Sequence, residues 1–192
     1  MNQTIKLLII TSILAASIFS QTTDKKAVVV TALTMPADAA AGGEITGNIK
    51  DGQIIPLRWA ESSQVACFPG TRFEMFNGNQ VFYRVTLPAA SSMVITLTPK
   101  DNAQVNLYAL RQGNRPTEQP VPPNVERATS CEASYPIYAN MGGGKVVKNK
   151  DTGIRKVEYI SVNSSYSILI GVAGAKGLTE GEFKLNISIK PR

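Results

Sequence analysis

The chain has 192 residues, of which 43% are hydrophobic, and it carries a formal net charge of +6. This length supports one sizeable core, and the hydrophobic fraction argues against a disordered chain. The sequence contains no histidine, which excludes a Ser-His-Asp triad, a Cys-His pair and histidine-ligated metal sites. Two cysteines are too few for an all-cysteine zinc site or an iron–sulfur cluster within this chain. We therefore expect no metal ion, no cofactor and no catalytic residue.

The N-terminus predicts an export signal. Lys6 supplies a positive charge, residues 7–16 form an apolar run, and small residues follow as at a cleavage site. The run is shorter than the roughly 20 residues that span a membrane. We predict a signal peptide over residues 1–20, a leader and connection over residues 21–43, and one domain over residues 44–192. The mature chain is then secreted or periplasmic and has no transmembrane segment.

Several short segments of the domain alternate between apolar and polar residues, which is the pattern of β-strands with one buried face. These segments are residues 81–87, 93–98, 105–110, 166–172 and 183–190. Turn-forming residues such as Asn77-Gly78 and Asp151-Thr152-Gly153 lie between them. Outside the signal, no long stretch has a helical period. The sequence predicts an all-β fold, an antiparallel β-sandwich or jelly roll of about eight strands.

A long insertion interrupts this pattern over residues 111–154, and its first part, residues 111–125, contains four prolines. We predict an extended loop for that part. Cys67 and Cys131 are the only cysteines, and a single pair in an exported protein predicts a structural disulfide. The bridge would tether the insertion and stabilise the fold by roughly 4 kcal/mol. The alternative is a reactive thiol, for which the chain offers no histidine base.

Five segments of the chain together resemble bacterial pre-peptidase C-terminal domains. They are residues 83–89, 93–97, 105–108, 165–170 and 181–187, which match an aromatic strand, an alternating strand, a Leu-Tyr strand and two closing strands. The resemblance implies a non-catalytic β-sandwich module of a kind usually attached to secreted hydrolases. The chain differs from the family in its cysteine pair and its insertion. Asn106 also stands where acidic residues are common in the family, which weakens the case for a calcium site.

Aromatic and basic residues follow both cysteines, and a disulfide would bring the two groups together. The predicted ligand-binding residues are Arg72, Phe73, Phe76, Tyr135, Tyr138, Lys145, Lys148 and Lys150. In the alternative interpretation, the aromatic residues pack in the core and the lysines protect an edge strand from association. No aromatic residue lies within the basic group to stack on bases, so nucleic acid is not an expected partner.

These observations predict an exported, non-catalytic binding or assembly module. Its expected partner is a glycan or a protein at the cell envelope or outside the cell, and the sequence makes no prediction of oligomeric state. The alternative is a small secreted glycan hydrolase, which needs only two carboxyl groups at the correct separation. The chain has 14 acidic residues, and nothing in the sequence selects a pair. It contains neither a Walker motif nor, in the mature chain, a Ser-x-x-Lys motif.

Overall fold

The computed structural model describes residues 27–35, 43–61, 68–115, 119–125, 128, 130–136, 138–141, 145–148 and 151–192. The predicted signal peptide and most of the predicted leader lie outside these residues. The strands in the described part are β1 (Val30–Ala32), β2 (Gly43–Asn48), β3 (Gln53–Ile54), β4 (Asn79–Leu87), β5 (Ser91–Pro99), β6 (Val105–Gln112), β7 (Ser130–Ser134), β8 (Tyr138–Met141), β9 (Lys145–Lys148), β10 (Arg155–Ile160), β11 (Tyr166–Gly174) and β12 (Glu182–Pro191). Two short helices, α1 (Arg58–Glu61) and α2 (Phe68–Thr71), and the 3₁₀ turns Ile49–Asp51 and Phe73–Met75 complete them.

The strands form two main sheets, which confirms the predicted β-sandwich. The first sheet has six strands in the order β1-β4-β11-β6-β7, with β3 also paired to β4. The second sheet has four strands in the order β10-β5-β12-β2, and β8 and β9 form a separate hairpin. Every described pairing is antiparallel except that of β1 with β4. The two main sheets contain ten strands in the described part of the chain, compared with the predicted number of about eight.

The inner core lies between the two sheets and is built from the alternating strands. In β12, Phe183, Leu185 and Ile187 are buried, whereas Lys184 and Lys190 face solvent. This alternation is the one predicted from the sequence, since one face of an antiparallel sheet packs on the core and the other remains hydrated. Fully burying each such side chain contributes about 1.5–3 kcal/mol. The inner core therefore fixes the register of the second sheet.

The opposite face of the first sheet is buried as well, under an outer layer. Residues of the segments 55–76 and 121–135 cover this face and form a second cluster with Phe82, Tyr108 and Leu169 of the sheet. As a result β6 and β11 are buried on both faces. Strands buried on both faces are unusual in an antiparallel sandwich, where the outer face is commonly exposed to water. The outer layer is the feature that sequence alternation did not predict.

Tyr108 is the centre of the outer layer. Its ring packs edge-on against Phe76 at 5.7 Å, and its hydroxyl donates to Gln80 Oε1 at 2.7 Å. The amide of Gln80 in turn donates to the carbonyls of Ile55 and Phe76. The ring lies across Gly171 of β11, where a Cβ atom would come within 2.3 Å of Tyr108 Cζ. Position 171 therefore accepts only glycine while the tyrosine keeps this place.

The first part of the insertion is largely the loop that its prolines predict, and a strand follows it. β6 continues to Gln112, and the described residues 113–115 and 119–125 belong to neither a helix nor a strand, as predicted. Farther along, however, β7 pairs with β6 and extends the first sheet. The backbone N–H of Lys156 in β10 donates to Ser134 Oγ at 3.0 Å, which links the edges of the two sheets. The insertion thus closes one side of the sandwich. Among the described residues, no helix has the length and apolar character needed to cross a membrane.

Candidate functional site

A polar cleft of about 350 Å³ opens at one end of the sandwich. It lies between the β5–β6 turn, the segment leading into β10 and the β11–β12 turn, with the 3₁₀ turn Phe73–Met75 on one wall. Residues that line it include Met75, Asn102, Gln104, Pro136, Asp151 and Lys176. We refer to this cleft as the end cleft. Concave sites with a few convergent polar groups are the usual form of ligand sites.

A buried arginine organises the floor of the end cleft. Arg155 is only 5% exposed, and its Nη1 and Nη2 donate to Asp151 Oδ1 and Oδ2 at 2.7 and 3.2 Å. Its Nε donates to Asn106 Oδ1 at 2.9 Å, and the amide of Asn106 donates to the Met75 carbonyl at 2.8 Å. The network therefore joins β10, β6 and the 3₁₀ turn, and it orders three walls of the cleft at once.

Asp151 also shapes the turn that leads into β10. Its Oδ1 accepts from the backbone N–H of Gly153 at 2.9 Å, and Gly153 has a φ of +79°, a conformation that favours glycine. The predicted turn is thus confirmed. The hydrogen bond from Arg155 lowers the pKa of the Asp151 carboxyl, so this group is ionised at neutral pH. The cleft consequently holds a fixed carboxylate at its rim.

The oxygen atoms of this network bear on the question of a bound cation. Asp151 and Asn106 supply carboxylate and amide oxygens, which are the ligands that calcium prefers. Here those oxygens accept hydrogen bonds from Arg155, so the guanidinium takes the place of a cation between them. Within the described ranges, no cluster of three or more acidic, cysteine or histidine side chains is arranged to hold a metal ion.

Two halves of the predicted aromatic site come together beside the end cleft. Arg72 is exposed, and Phe73 is 51% exposed on the 3₁₀ turn. Tyr135, which follows β7, is partly buried and packs edge-on against Phe76 at 5.7 Å. Neither Phe73 nor Tyr135 lines the cleft itself, but each is close in the chain to a residue that does, Met75 and Pro136 respectively.

One member of the predicted site is not available to a ligand. Phe76 is fully buried, because its ring fills the space between Tyr108 and Tyr135. It holds the two halves of the aromatic group together and has no surface for contact with a partner. The prediction placed it at the surface because the sequence does not reveal the outer layer that covers it.

The remaining predicted residues belong to the second half of the insertion. Tyr138 lies in β8 and pairs in register with Lys148 of β9, and Lys145 begins the same strand. Their side chains and the whole of Lys150 lie outside the described residues. A ligand-binding role for these four residues stays a prediction.

Only one cysteine of the predicted disulfide lies among the described residues. Cys131 is buried in β7 at the edge of the outer layer, whereas Cys67 lies outside the described residues. Helix α2 begins at Phe68, the next residue in the chain, and it packs near β7. The bridge therefore stays a prediction, although the chain that immediately follows Cys67 comes close to the strand that holds Cys131.

Sequence reasoning missed the Arg155–Asn106–Asp151 network. Asp151 was interpreted as a turn former only, and nothing marked Arg155 as buried. The available signal was an acidic residue followed at i+4 by an arginine that starts an alternating strand. In such a strand the first, third and fifth residues share the buried face, so an arginine in the first position needs a partner.

Comparisons with known proteins show similarity at the level of the fold. No protein-family model matches the chain, and no curated protein matches it. Among solved structures, one that is similar is PliG, a periplasmic inhibitor of g-type lysozyme from Aeromonas hydrophila, with 11% identity, a TM-score of 0.40, and coverage of 85% of this chain and 97% of that chain. Another is CorA, a surface-associated copper-binding protein from Methylomicrobium album BG8, with 10% identity, a TM-score of 0.42, and coverage of 85% and 99%.

A third similar structure is the pre-peptidase C-terminal domain of a collagenase from Bacillus anthracis. It is 8% identical, has a TM-score of 0.37, and the match covers 87% of this chain and all (100%) of that domain. The family that the sequence resembles is thus found again among the similar structures. Likeness at these identities concerns the fold and carries no information on ligands.

Proposed function

We propose that the protein is an exported binding module without catalytic function, and that its end cleft recognises a glycan at the cell envelope or outside the cell. The observation that supports the proposal is a cleft lined by polar groups, with Phe73, which is 51% exposed, two residues from Met75 in its wall. Export rests on the signal-like residues 1–20.

The polar groups of the end cleft suit a ligand rich in hydroxyl groups. Asn102 and Gln104 offer amide donors and acceptors, Asp151 offers carboxylate oxygens, and Lys176 offers an ammonium group. All four residues are exposed, so their hydrogen-bonding groups are accessible from solvent. The network of Arg155 fixes Asp151 in place before a ligand arrives, which reduces the entropy that binding has to cover.

The electrostatics of the cleft favour binding over hydrolysis. A glycan hydrolase needs one carboxyl group with a raised pKa to act as general acid. The carboxyl of Asp151 has a lowered pKa because Arg155 donates to it. The pKa of Glu182 is lowered as well, by a hydrogen bond from Lys100.

A protein partner is the second candidate, and exposed Phe73 favours it. A half-exposed phenylalanine beside an exposed arginine is the type of residue pair that anchors protein interfaces. In this version Arg72 and Phe73 bind the partner, and the polar cleft accepts a side chain from it. The lysines of the hairpin, Lys145 and Lys148, would add attraction for an acidic partner of either class.

The decisive experiment combines a glycan array with a pull-down from envelope and extracellular fractions, both with the mature chain. If the end cleft binds the ligand, Phe73→Ala and Gln104→Ala should each weaken binding, by about tenfold for the phenylalanine. Ile160→Ala is the matched control, since Ile160 is 52% exposed and lies at the far end of β10 from Arg155.

Two outcomes would contradict the proposal. Equal loss of binding with Ile160→Ala would remove the end cleft as the site. Turnover of a polysaccharide that a single Asp or Glu substitution abolishes would establish the enzyme alternative. A steep fall of affinity between low and physiological salt would assign the main contribution to the lysines, because exposed charges are screened over about 8 Å at physiological ionic strength.

A further inference from the structure

A second buried arginine lies on the outer face of the first sheet. Arg84 in β4 is 9% exposed, and its Nη1 donates to Gln112 Oε1 and to Ser167 Oγ, both at 2.8 Å. Its Nη2 donates to the carbonyl of Gln119 at 3.2 Å. All three acceptors are uncharged, and the described residues place no carboxylate on this guanidinium. Burial lowers the pKa of Arg84, but an arginine keeps its proton at neutral pH.

The two buried arginines differ in how their charge is balanced. The guanidinium of Arg155 faces the two oxygens of Asp151, whereas that of Arg84 faces only neutral dipoles. A buried charge without a counter-charge is costly, and proteins usually pair it. Arg84 has five N–H groups, and three of them donate the hydrogen bonds described above. Nε–H and one hydrogen of Nη2 have no acceptor among the described residues. Two parallel N–H groups of a guanidinium match the two oxygens of a carboxylate.

A cavity of about 330 Å³ adjoins Arg84. It lies between β1 and the segment 119–121, and its walls include Val30, Ala32, Leu33, Thr86 and Val121. Apart from Arg84, Thr86 and Gln119 these walls are apolar, and the volume exceeds that of a lone carboxylate. The cavity shares no lining residue with the end cleft.

We propose that this cavity binds a carboxylate that is attached to an apolar group. The N–H groups of Arg84 that have no acceptor among the described residues take the carboxylate, and the apolar group packs on Val30, Leu33 and Val121. The C-terminal carboxylate of a peptide that ends in an apolar residue has this chemistry, and so does a short aliphatic acid. The site is separate from the end cleft, so it stands or falls independently of the proposed function.

Calorimetry with the mature chain tests the site directly. The probes are N-acetyl-Ala-Val-Leu with a free carboxylate, the same peptide as its C-terminal amide, and hexanoate. We expect the free peptide acid to bind, the amide to bind at least tenfold more weakly, and hexanoate to show whether the carboxylate and an alkyl chain are sufficient. Arg84→Gln should weaken binding of the acid by at least tenfold and leave that of the amide unchanged.

Arg84→Gln also removes hydrogen bonds that hold the segment 119–121, so a second variant is needed that leaves them intact. Ala32 pairs in register with Arg84 in the parallel β1–β4 ladder, and its side chain therefore lies beside Arg84 on the same face. Ala32→Asp supplies a carboxylate from within the chain. Ala32→Asp should raise Tm by about 2–4 °C. It should also abolish binding of the acid, because the new carboxylate occupies the site. Ala32→Asn is the matched control and should not raise Tm.

Several results would overturn the proposal. Equal affinity for the acid and the amide would show that the carboxylate is not recognised. The absence of binding by the acid and by hexanoate at millimolar concentration would mean that Arg84 serves only to anchor the segment 119–121. A loss of stability with Ala32→Asp that Ala32→Asn does not share would show that this face does not accept a negative charge. Phe73→Ala should leave binding of the acid unchanged, which keeps this test separate from that of the end cleft.

Discussion

The two faces of the first sheet are covered in different ways. On the inner face, strands of the second sheet supply apolar side chains in a regular pattern, so that strand packs on strand. On the outer face, two short helices, a 3₁₀ turn and loop segments form the cover, and side-chain hydrogen bonds from Gln80 and Arg84 hold parts of it in place. Packing on the inner face follows from the two-residue alternation of apolar side chains along the strands. Packing on the outer face depends on individual contacts between segments that are distant in the chain.

Both candidate sites draw on residues of the two layers. The outer layer supplies Met75 to the end cleft and Val30 and Val121 to the cavity beside Arg84, and Val85 of the inner core also lines that cavity. Loops on a rigid sheet are the usual carriers of binding residues, because the sheet fixes their position while their sequence varies. We expect substitutions in the inner core and in the outer layer to differ in their effects on stability, amide protection and ligand binding.

The largest effect is expected for Phe183→Ala in the inner core. Phe183 is fully buried in β12 and packs edge-on against Tyr83, so its truncation should lower the free energy of unfolding by about 3–5 kcal/mol.

Phe76→Ala in the outer layer removes a ring of the same size. It should also weaken ligand binding at the end cleft, because Tyr135 loses its support. Urea denaturation together with hydrogen exchange distinguishes the two.

In Phe183→Ala, amide protection should fall in both sheets, whereas in Phe76→Ala it should fall mainly in the segments 55–76 and 121–135. If Phe76→Ala instead lowers protection throughout the sandwich to the same degree, the two faces do not behave as separate units.

The next largest effect is expected from loss of the predicted disulfide in the outer layer. If Cys67 and Cys131 are bridged, reduction or the double change Cys67→Ser/Cys131→Ser should lower the free energy of unfolding by roughly 4 kcal/mol, because the unfolded chain regains the entropy of an open loop. The bridge itself is tested first, by comparing the intact mass after alkylation with and without prior reduction. Two free thiols in protein taken from its native compartment would contradict it.

The smallest effect tests the ion pair of the end cleft by its pH dependence. The pKa of Asp151 is lowered in the folded protein, chiefly by the hydrogen bond from Arg155, relative to its ordinary value of 3.8. The folded state thus binds this proton more weakly than the unfolded state, and protonation favours unfolding. The stabilisation is present above about pH 4 and is lost as the pH falls through the lowered folded value.

Asp151→Asn should therefore lower the free energy of unfolding by about 1–3 kcal/mol near pH 7, because the buried guanidinium of Arg155 loses its counter-charge, although Asp151 itself is 35% exposed and solvent screens its side of the pair. The difference from the wild-type chain should shrink as the pH falls below about 4, which urea denaturation at several pH values measures. Glu158→Gln is the control, since its pair with Lys156 is exposed at the surface. A constant difference between the two proteins at all pH values would contradict the assignment to Asp151.

The features that sequence predicted are those set by local pattern. The alternation of Phe183, Leu185 and Ile187 gave the strand and its buried face correctly, because both follow from the period of two residues. The Asp151 turn was predicted from its residue types, since an Asp side chain bonds backbone two residues farther on. The two aromatic groups that follow the cysteines do meet, since the ring of Tyr135 packs on that of Phe76, but the disulfide from which this was expected stays a prediction.

The features that sequence did not predict depend on what covers a strand. β6 alternates between two sets of residues, but both of its faces are buried, because segments more than 20 residues away in the chain fold over Tyr108. Phe76 was placed at the surface for the same reason. The burial of Arg84 follows from partners 28–83 residues away, on which a local pattern contains no information, whereas Arg155 has one partner 49 residues away and another, Asp151, only four residues away.

The single parallel pairing among the described strands has a consequence for behaviour at high concentration. β4 has nine residues, and its outer edge is covered only by three residues of β1 and two of β3. An uncovered strand of that length offers its backbone groups to any extended chain nearby. The residues that would be uncovered include Phe82 and Tyr83, which favour β-structure. We therefore expect the short strand β1 to protect the middle of this edge, and a chain trimmed past Ala32 to associate more readily at high concentration than the intact chain.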